Sequence, residues 1–278
     1  MLLGALAALS LIVAVVICAV CGAFAGLTWL WLLPLTALGC LLVLVLIAFL
    51  FLLYLCSRVD QSVPQEDDDP LYRTVTNLYI QSALPVLQFR IRKKSLEKMP
   101  KDGRFMLICN HCSLADPIIL LYCLAKYQLV FVSKKENADM FVIGPMMHRL
   151  QCQLINREND REALKTILKC IQILKDDKAS IGVFPEGYIL PDRKLHEFRP
   201  GVFKIAQKAK VPIVVCTMKD TAKAIENLLH YRPSEIELSV LQVLEPEEFL
   251  NKKTVEIADR IYHMMAQDLG PDRVAESR

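Results

Sequence analysis

Apolar and polar positions divide the chain at residue 58. Residues 1–57 contain no Asp, Glu, Lys, Arg or His, and every formal charge lies from Arg58 onward. A single helix of 56 residues would run about 84 Å against a hydrocarbon core of about 30 Å, so the pattern predicts two crossings rather than one. They are placed at Leu3–Phe24 and Pro34–Tyr54, with Gly22, Gly26 and Pro34 supplying the break and Trp29 and Trp31 suited to an interface. A signal peptide is the competing reading, because Ala23-Phe24-Ala25 resembles a cleavage site, but no basic segment precedes it.

Beyond the apolar stretch the pattern changes twice. Residues 58–70, with Asp60, Glu66, Asp67, Asp68, Asp69 and two prolines, read as an acidic linker. Leu71 to Ile91 mixes apolar and polar positions, bends at Leu84-Pro85 and runs into a basic cluster from Arg90 to Lys94. That composition fits an amphipathic segment on a membrane surface, and equally an ordinary helix covering a core. After the turn signal Lys101-Asp102-Gly103, short apolar runs alternate with helical patterns. The predicted strands are Phe105–Cys109, Leu129–Val132, Cys152–Ile155, Ser180–Phe184, Ile213–Thr217 and Ile236–Val243, and the predicted helices are Ile118–Tyr127, Arg161–Lys175, Phe203–Ala209 and Thr254–Asp268. Such alternation implies an α/β fold: a single mixed, mostly parallel sheet flanked by helices, preceded by an N-terminal transmembrane helical hairpin. The expected division is 1–57 for the hairpin, 58–70 for the linker and 71–278 for the remaining domain, which begins with the amphipathic segment.

Charge adds orientation and excludes one class. The net charge of +3 is too small for a nucleic-acid-binding signature. Arg58, Arg73, Arg90, Arg92, Lys93 and Lys94 follow the second span, which by the positive-inside rule keeps that side, and the N-terminus with it, in the cytoplasm. Four of the ten cysteines lie in the apolar stretch, where Cys18 and Cys21 read as helix packing, and the remainder are scattered as in a reducing compartment.

Candidate chemistry sits where apolar runs end. Asn110-His111-Cys112-Ser113-Leu114-Ala115-Asp116 occupies a predicted strand-to-helix turn, the kind of place where α/β sites form. Asp116 before Pro117 also reads as a helix N-cap with proline at N1, which would leave His111 an ordinary loop residue. Val183-Phe184-Pro185-Glu186-Gly187 ends another run. Glu186 has the chemistry to accept hydrogen bonds from hydroxyls, and Gly187 lets a ligand approach the backbone, although the same residues also make a plain turn. Arg157, after Leu154-Ile155-Asn156, has the side chain suited to bidentate phosphate recognition, or to a surface charge at a helix start. Cys112 lacks a legible thiol–base pairing, Ser113 lacks a nucleophile elbow, and His148, His196, His230 and His263 show no metal-ligand spacing.

In this order the stretches resemble the glycerophosphate and lysophospholipid acyltransferase family, whose first motif is NHxSxxD and whose third is FPEG; the resemblance covers about residues 80–245. It implies a membrane-bound O-acyltransferase that moves a fatty acyl group from acyl-CoA or acyl carrier protein to the free hydroxyl of lysophosphatidic acid, giving phosphatidic acid, with no metal or other cofactor. It further implies His111 as general base, Asp116 as the residue that orients it, and Arg157, Glu186 and Gly187, with Asn110 and Ser113 from the first motif, on the substrate. One departure stands out: the family commonly continues FPEG with a small residue and arginine, where this chain has Tyr188 and Ile189. Lys134, Lys135, Arg193, Lys194 and Arg199 are candidates to replace that charge, or the acceptor is another lysophospholipid. A thioesterase using water as acceptor, and a membrane scaffold without chemistry, are the competing functions.

Overall fold

The computed structural model describes residues 2–156 and 158–275. Helices α1 (Leu2–Val20) and α2 (Trp29–Ser57) pack on each other and leave most of their apolar surface open. Both are long and apolar enough to cross a membrane. The turn between them runs through Gly22 at φ 68°, a left-handed conformation that glycine adopts without a Cβ clash.

Helix α3 (Pro70–Val86) is capped by Asp69, whose carboxylate accepts the N–H groups of Leu71 and Tyr72 at 3.0 and 3.4 Å. Its Tyr72 and Tyr79 hydroxyls donate to the carbonyls of Leu55 and Ala48, which fastens α3 to α2. The preceding acidic segment is also tied down: Asp68 pairs with Arg73 at 2.8 Å and accepts from Gln128.

Seven strands, β1 (Phe89–Lys94), β2 (Met106–Ile108), β3 (Leu129–Lys134), β4 (Gln153–Ile155), β5 (Ser180–Val183), β6 (Ile213–Lys219) and β7 (Ser234–Leu244), form one sheet in the order β1-β7-β6-β2-β5-β3-β4. The run β6-β2-β5-β3-β4 is parallel throughout; β7 lies antiparallel to β6, and β1 is parallel to β7. Central strands covered on both faces are nearly continuous apolar runs, as β2 is throughout and β5 is after Ser180, whose hydroxyl accepts the Phe105 N–H. The remaining helices are α4 (Asp116–Cys123), α5 (Ile143–Arg149), α6 (Asp160–Lys175), α7 (Lys204–Ala209), α8 (Thr221–Leu228) and α9 (Thr254–Leu269).

Strand alternation splits β2 between two cores. Met106 and Ile108 pack with α6, α7 and α9 on one face, while Leu107 packs with α3 and α4 on the other. Six strands fall on the predicted runs. β1 does not: the basic cluster expected to end an amphipathic helix is instead an edge strand. Its charges find cross-strand partners in β7, Arg92 to Glu235 at 3.1 Å and Lys94 to Glu237 at 2.6 Å, and charge on an edge discourages further pairing. Helices α5 and α8, only 7 and 8 residues long, were also not predicted, because so few residues carry little periodicity.

Candidate active site

Ile108 and Val183 are register partners in the parallel pair β2–β5, so the segments leaving the two strands emerge side by side. From here the chain diverges. α4 leads from β2 to β3, beyond β5, whereas the segment after β5 crosses to β6 on the opposite side of β2. A crevice at the carboxyl ends of strands follows from that divergence, and both sequence motifs line it.

His111 and Asp116 meet there. Asp116 Oδ2 lies 2.9 Å from His111 Nδ1 and accepts the backbone N–H groups of Cys112 at 2.7 Å and Ser113 at 2.8 Å. The cap expected of Asp116 does not form: α4 begins at Asp116 itself after Ala115, and the carboxylate turns back onto its own loop instead of onto α4. Pro117, with no N–H to satisfy, suits this arrangement. Asp116 is 1% exposed, whereas 17% of the His111 side chain is open. The imidazole stacks on Phe184 with centroids 4.1 Å apart and planes 18° apart, and Phe184 stacks in turn on Phe131. With Nδ1 on the carboxylate and one face on Phe184, the ring is fixed, and Nε2 is the nitrogen left for chemistry.

Glu186 holds the two loops together. Its Oε1 accepts the His111 N–H at 2.8 Å and its Oε2 the His196 N–H at 3.1 Å. Burial pushes its carboxyl up to about 8, against the opposite pull of those two donors. Gly187 turns the chain at φ 85°, a left-handed backbone that favours glycine. Asn110 is buried and spliced to β6: its amide donates to the Met218 carbonyl at 2.9 Å, and its oxygen accepts the Met218 N–H at 2.8 Å. Ser113 is buried as well, its hydroxyl accepting the Ala115 N–H. Cys112 is no ready nucleophile, since burial pushes its thiol up to about 12. Among the described residues no group of three or more His, Cys, Asp or Glu is placed to hold a metal.

Arg157 lies outside the described residues. Ile155 and Asp160, on either side of it in sequence, line a largely apolar cavity of about 150 Å³ with Val183, Phe184, Gly187 and Arg199. Arg199 is clamped by Tyr188, donating to its hydroxyl at 3.0 Å with the guanidinium 5.0 Å from the ring centroid. Of the other candidate cations, Lys134 pairs with Glu136, while Arg193 donates to the Cys112 carbonyl at 2.7 Å, inside the first motif. The backbone of His196 and Met218, and the ring of Phe184, are contributors that motif spacing did not single out.

A family model described as acyltransferase matches residues 90–219, the stretch from β1 through β6. A probable 1-acyl-sn-glycerol-3-phosphate acyltransferase of Mycoplasma pneumoniae is 30% identical over 145 residues, 51% of this chain and 53% of that protein. A 1-acyl-sn-glycerol-3-phosphate acyltransferase of Chlamydomonas reinhardtii is 28% identical over 180 residues, 64% of this chain and 52% of that one. The chain thus spans about half the length of the curated relatives it matches. The crystal structure of the 1-acyl-sn-glycerophosphate acyltransferase PlsC from Thermotoga maritima superposes with a TM-score of 0.59 at 20% identity, over 82% of this chain and 89% of that one, and shares the fold. The stretch that carries both motif loops is thus the stretch that resembles the acyltransferase family.

Proposed function

We propose that this chain transfers a fatty acyl group from a thioester, acyl-CoA or acyl carrier protein, to the free hydroxyl of a lysophospholipid, most simply lysophosphatidic acid to give phosphatidic acid. The observation that carries the reading is the His111–Asp116 pair, 2.9 Å apart, with the carboxylate anchored by two backbone N–H groups. The acceptor oxygen attacks the thioester carbonyl carbon while its proton passes to His111 Nε2. The C–S bond then breaks, and the departing thiolate takes the proton from the imidazolium to leave as a thiol. Asp116 holds the tautomer in which Nε2 is the acceptor and stabilises the imidazolium. General-base catalysis of this kind supplies about 10²–10⁴-fold, and positioning supplies more.

The acceptor is assigned to the β5 side. Gly187 and Arg199 line the apolar cavity beside Phe184, and Arg157 is proposed for the phosphate from the family resemblance. Arg199 is the candidate for the charge that Ile189 does not provide. Helices α1 and α2 are assigned as membrane crossings with the catalytic domain on the cytoplasmic face, as the basic residues after α2 favour. That arrangement shortens the path of a lipid acceptor and a two-chain product.

The test is an assay of the detergent-solubilised chain with a panel of lysolipids and both thioester donors, read by mass spectrometry, with His111→Ala as control. Acyl transfer to lysophosphatidic acid that disappears in the control is the expected result. Acyl release without any lysolipid, at an equal rate, would make the protein a thioesterase. Arg157→Ala is expected to raise the acceptor KM about tenfold with little change in kcat, and an unchanged KM removes Arg157 from the phosphate.

A further inference from the structure

A second cavity, of about 340 Å³, opens on the other flank of the first motif. Its near wall is Asn110, Cys112 and Met218, and its far wall is Arg273 and the first turn of α8. We propose that this cavity receives the phosphopantetheine arm of the acyl donor, with the arm's phosphate at the start of α8. The proposal rests on the acyl-transfer reading and names the donor side of that site.

Three observations carry it. The first N–H groups of α8 have no intrahelical acceptor, and Asp220 at the N-cap, at φ 65°, makes no side-chain cap; its carboxylate is held by Arg273 at 3.0 and 3.3 Å. Those N–H groups are left for an anion, which the helix dipole also favours. Second, the lining carries Arg193, Lys219, Lys223 and Arg273 against Asp220 and Glu226, four cations less two carboxylates, an excess of two positive charges. Lys219 is committed to Glu237 and Asp268, whereas Lys223 makes no ion pair among the described residues. Third, Thr221 on the cavity wall is 1% exposed and its hydroxyl has no partner among the described residues.

Geometry separates donor from acceptor. In a lysophosphatidic acid the reacting hydroxyl and the phosphate ester sit on adjacent carbons, so that phosphate stays close to His111. A pantetheine thioester keeps its phosphate a long, two-amide arm away, which suits a cation-lined far wall. The volume lies at the lower end of small-molecule sites, about 300–1,000 Å³, enough for the arm but not for a nucleotide as well. The arm is common to coenzyme A and acyl carrier protein, so the site serves either donor. The two substrates then approach His111 from opposite flanks, the acceptor from the β5 side and the thioester from the β6 side.

The test uses the full chain in detergent with the variants Lys223→Gln, Lys223→Glu and Arg193→Gln/Lys223→Gln. Initial rates are measured with acyl-CoA, acyl carrier protein and acyl-pantetheine, which lacks the phosphate. Binding of coenzyme A is measured by calorimetry, also in a His111→Ala background where turnover is absent. In the double variant the KM for both phosphorylated donors is expected to rise about tenfold, a loss of about 1.4 kcal/mol, while the lysolipid KM stays within about twofold. The preference for acyl-CoA over acyl-pantetheine should fall by the same factor. Lys223→Glu, which leaves the Arg193 contact to Cys112 intact, should weaken coenzyme A binding more than Lys223→Gln does. Coenzyme A binding that is unchanged in all three variants overturns the proposal, as does a rise confined to the lysolipid KM, which would make the cavity an acceptor-phosphate site. Coenzyme A binding that depends on Lys223 in a chain without acyl transfer would retain the site and reject the reaction instead.

Discussion

Asp116, at the start of α4, gives one oxygen to three groups of the loop after β2, the Cys112 and Ser113 N–H groups and the His111 ring. Glu186, in the loop after β5, divides its two oxygens between the backbone of His111 and that of His196. Both carboxyl groups are buried in one crevice. The first acts on a side chain that can move a proton, and the second acts on backbone that cannot. Two acidic residues in paired motifs therefore meet different partners: in the proposed mechanism Asp116 aims the base, and Glu186 fastens the loop that carries it to the segment at His196. In the proposed mechanism Glu186 acts on the site through the backbone N–H of His111, as a positioning residue.

The contrast is most exposed to the His111 and Asp116 variants. His111→Ala is expected to lower kcat about 10³-fold, and Asp116→Asn about 10²-fold with the lysolipid KM unchanged, both read from steady-state rates. An Asp116→Asn protein with full kcat would mean that the carboxylate only shapes the loop, and the difference between the two loops would vanish.

Glu186→Gln tests the other side. An amide nitrogen cannot accept, so one backbone N–H is left unsatisfied, at a cost of about 1–3 kcal/mol in stability at pH 5. The pH dependence has a definite sign. Glu186 has a native value of about 8 against an ordinary 4.5, so the folded state holds the extra proton between those limits. Wild-type stability should fall as pH rises through that window, and the Gln variant, with nothing to titrate there, should not follow. Thermal melts of both proteins from pH 5 to 9 are expected to converge; parallel curves would show that burial does not raise the Glu186 carboxyl and that it is ionised in the folded protein across this range.

The smallest effect expected is that of Tyr188→Phe. It removes the 3.0 Å hydrogen bond to Arg199 but keeps the ring beneath the guanidinium, and should raise the lysolipid KM about two- to threefold. No change in KM would remove Arg199 from the acceptor side.

What the sequence disclosed was whatever short-range pattern encodes. Most strands are short apolar runs or alternate between apolar and polar positions, so six of seven were legible, and His111 and Asp116 lie five residues apart between β2 and the first residue of α4. β1 was hidden because its alternation is carried by Arg and Lys, whose partners Glu235 and Glu237 lie far along the chain. Long-range contacts were equally silent. Arg193 reaches Cys112 across 81 residues, and Asn110 reaches Met218 across 108. Nor did spacing show that the Asp116 oxygen would be taken by Cys112 and Ser113 rather than by α4, since a capping aspartate and an inward-turned one share the sequence Ala-Asp-Pro.

The distribution of thiols has a practical consequence. Burial pushes the thiols of Cys109, Cys112, Cys123, Cys152, Cys170 and Cys216 upward, and a cysteine reacts as its thiolate, so this set resists alkylation. Cys21 stands exposed in the turn just past the end of α1. With α1 and α2 crossing a bilayer as proposed, a membrane-impermeant maleimide offered to sealed vesicles is expected to mark Cys21 from the side on which the hairpin turns, making the native sequence its own topology reporter without a single introduced label.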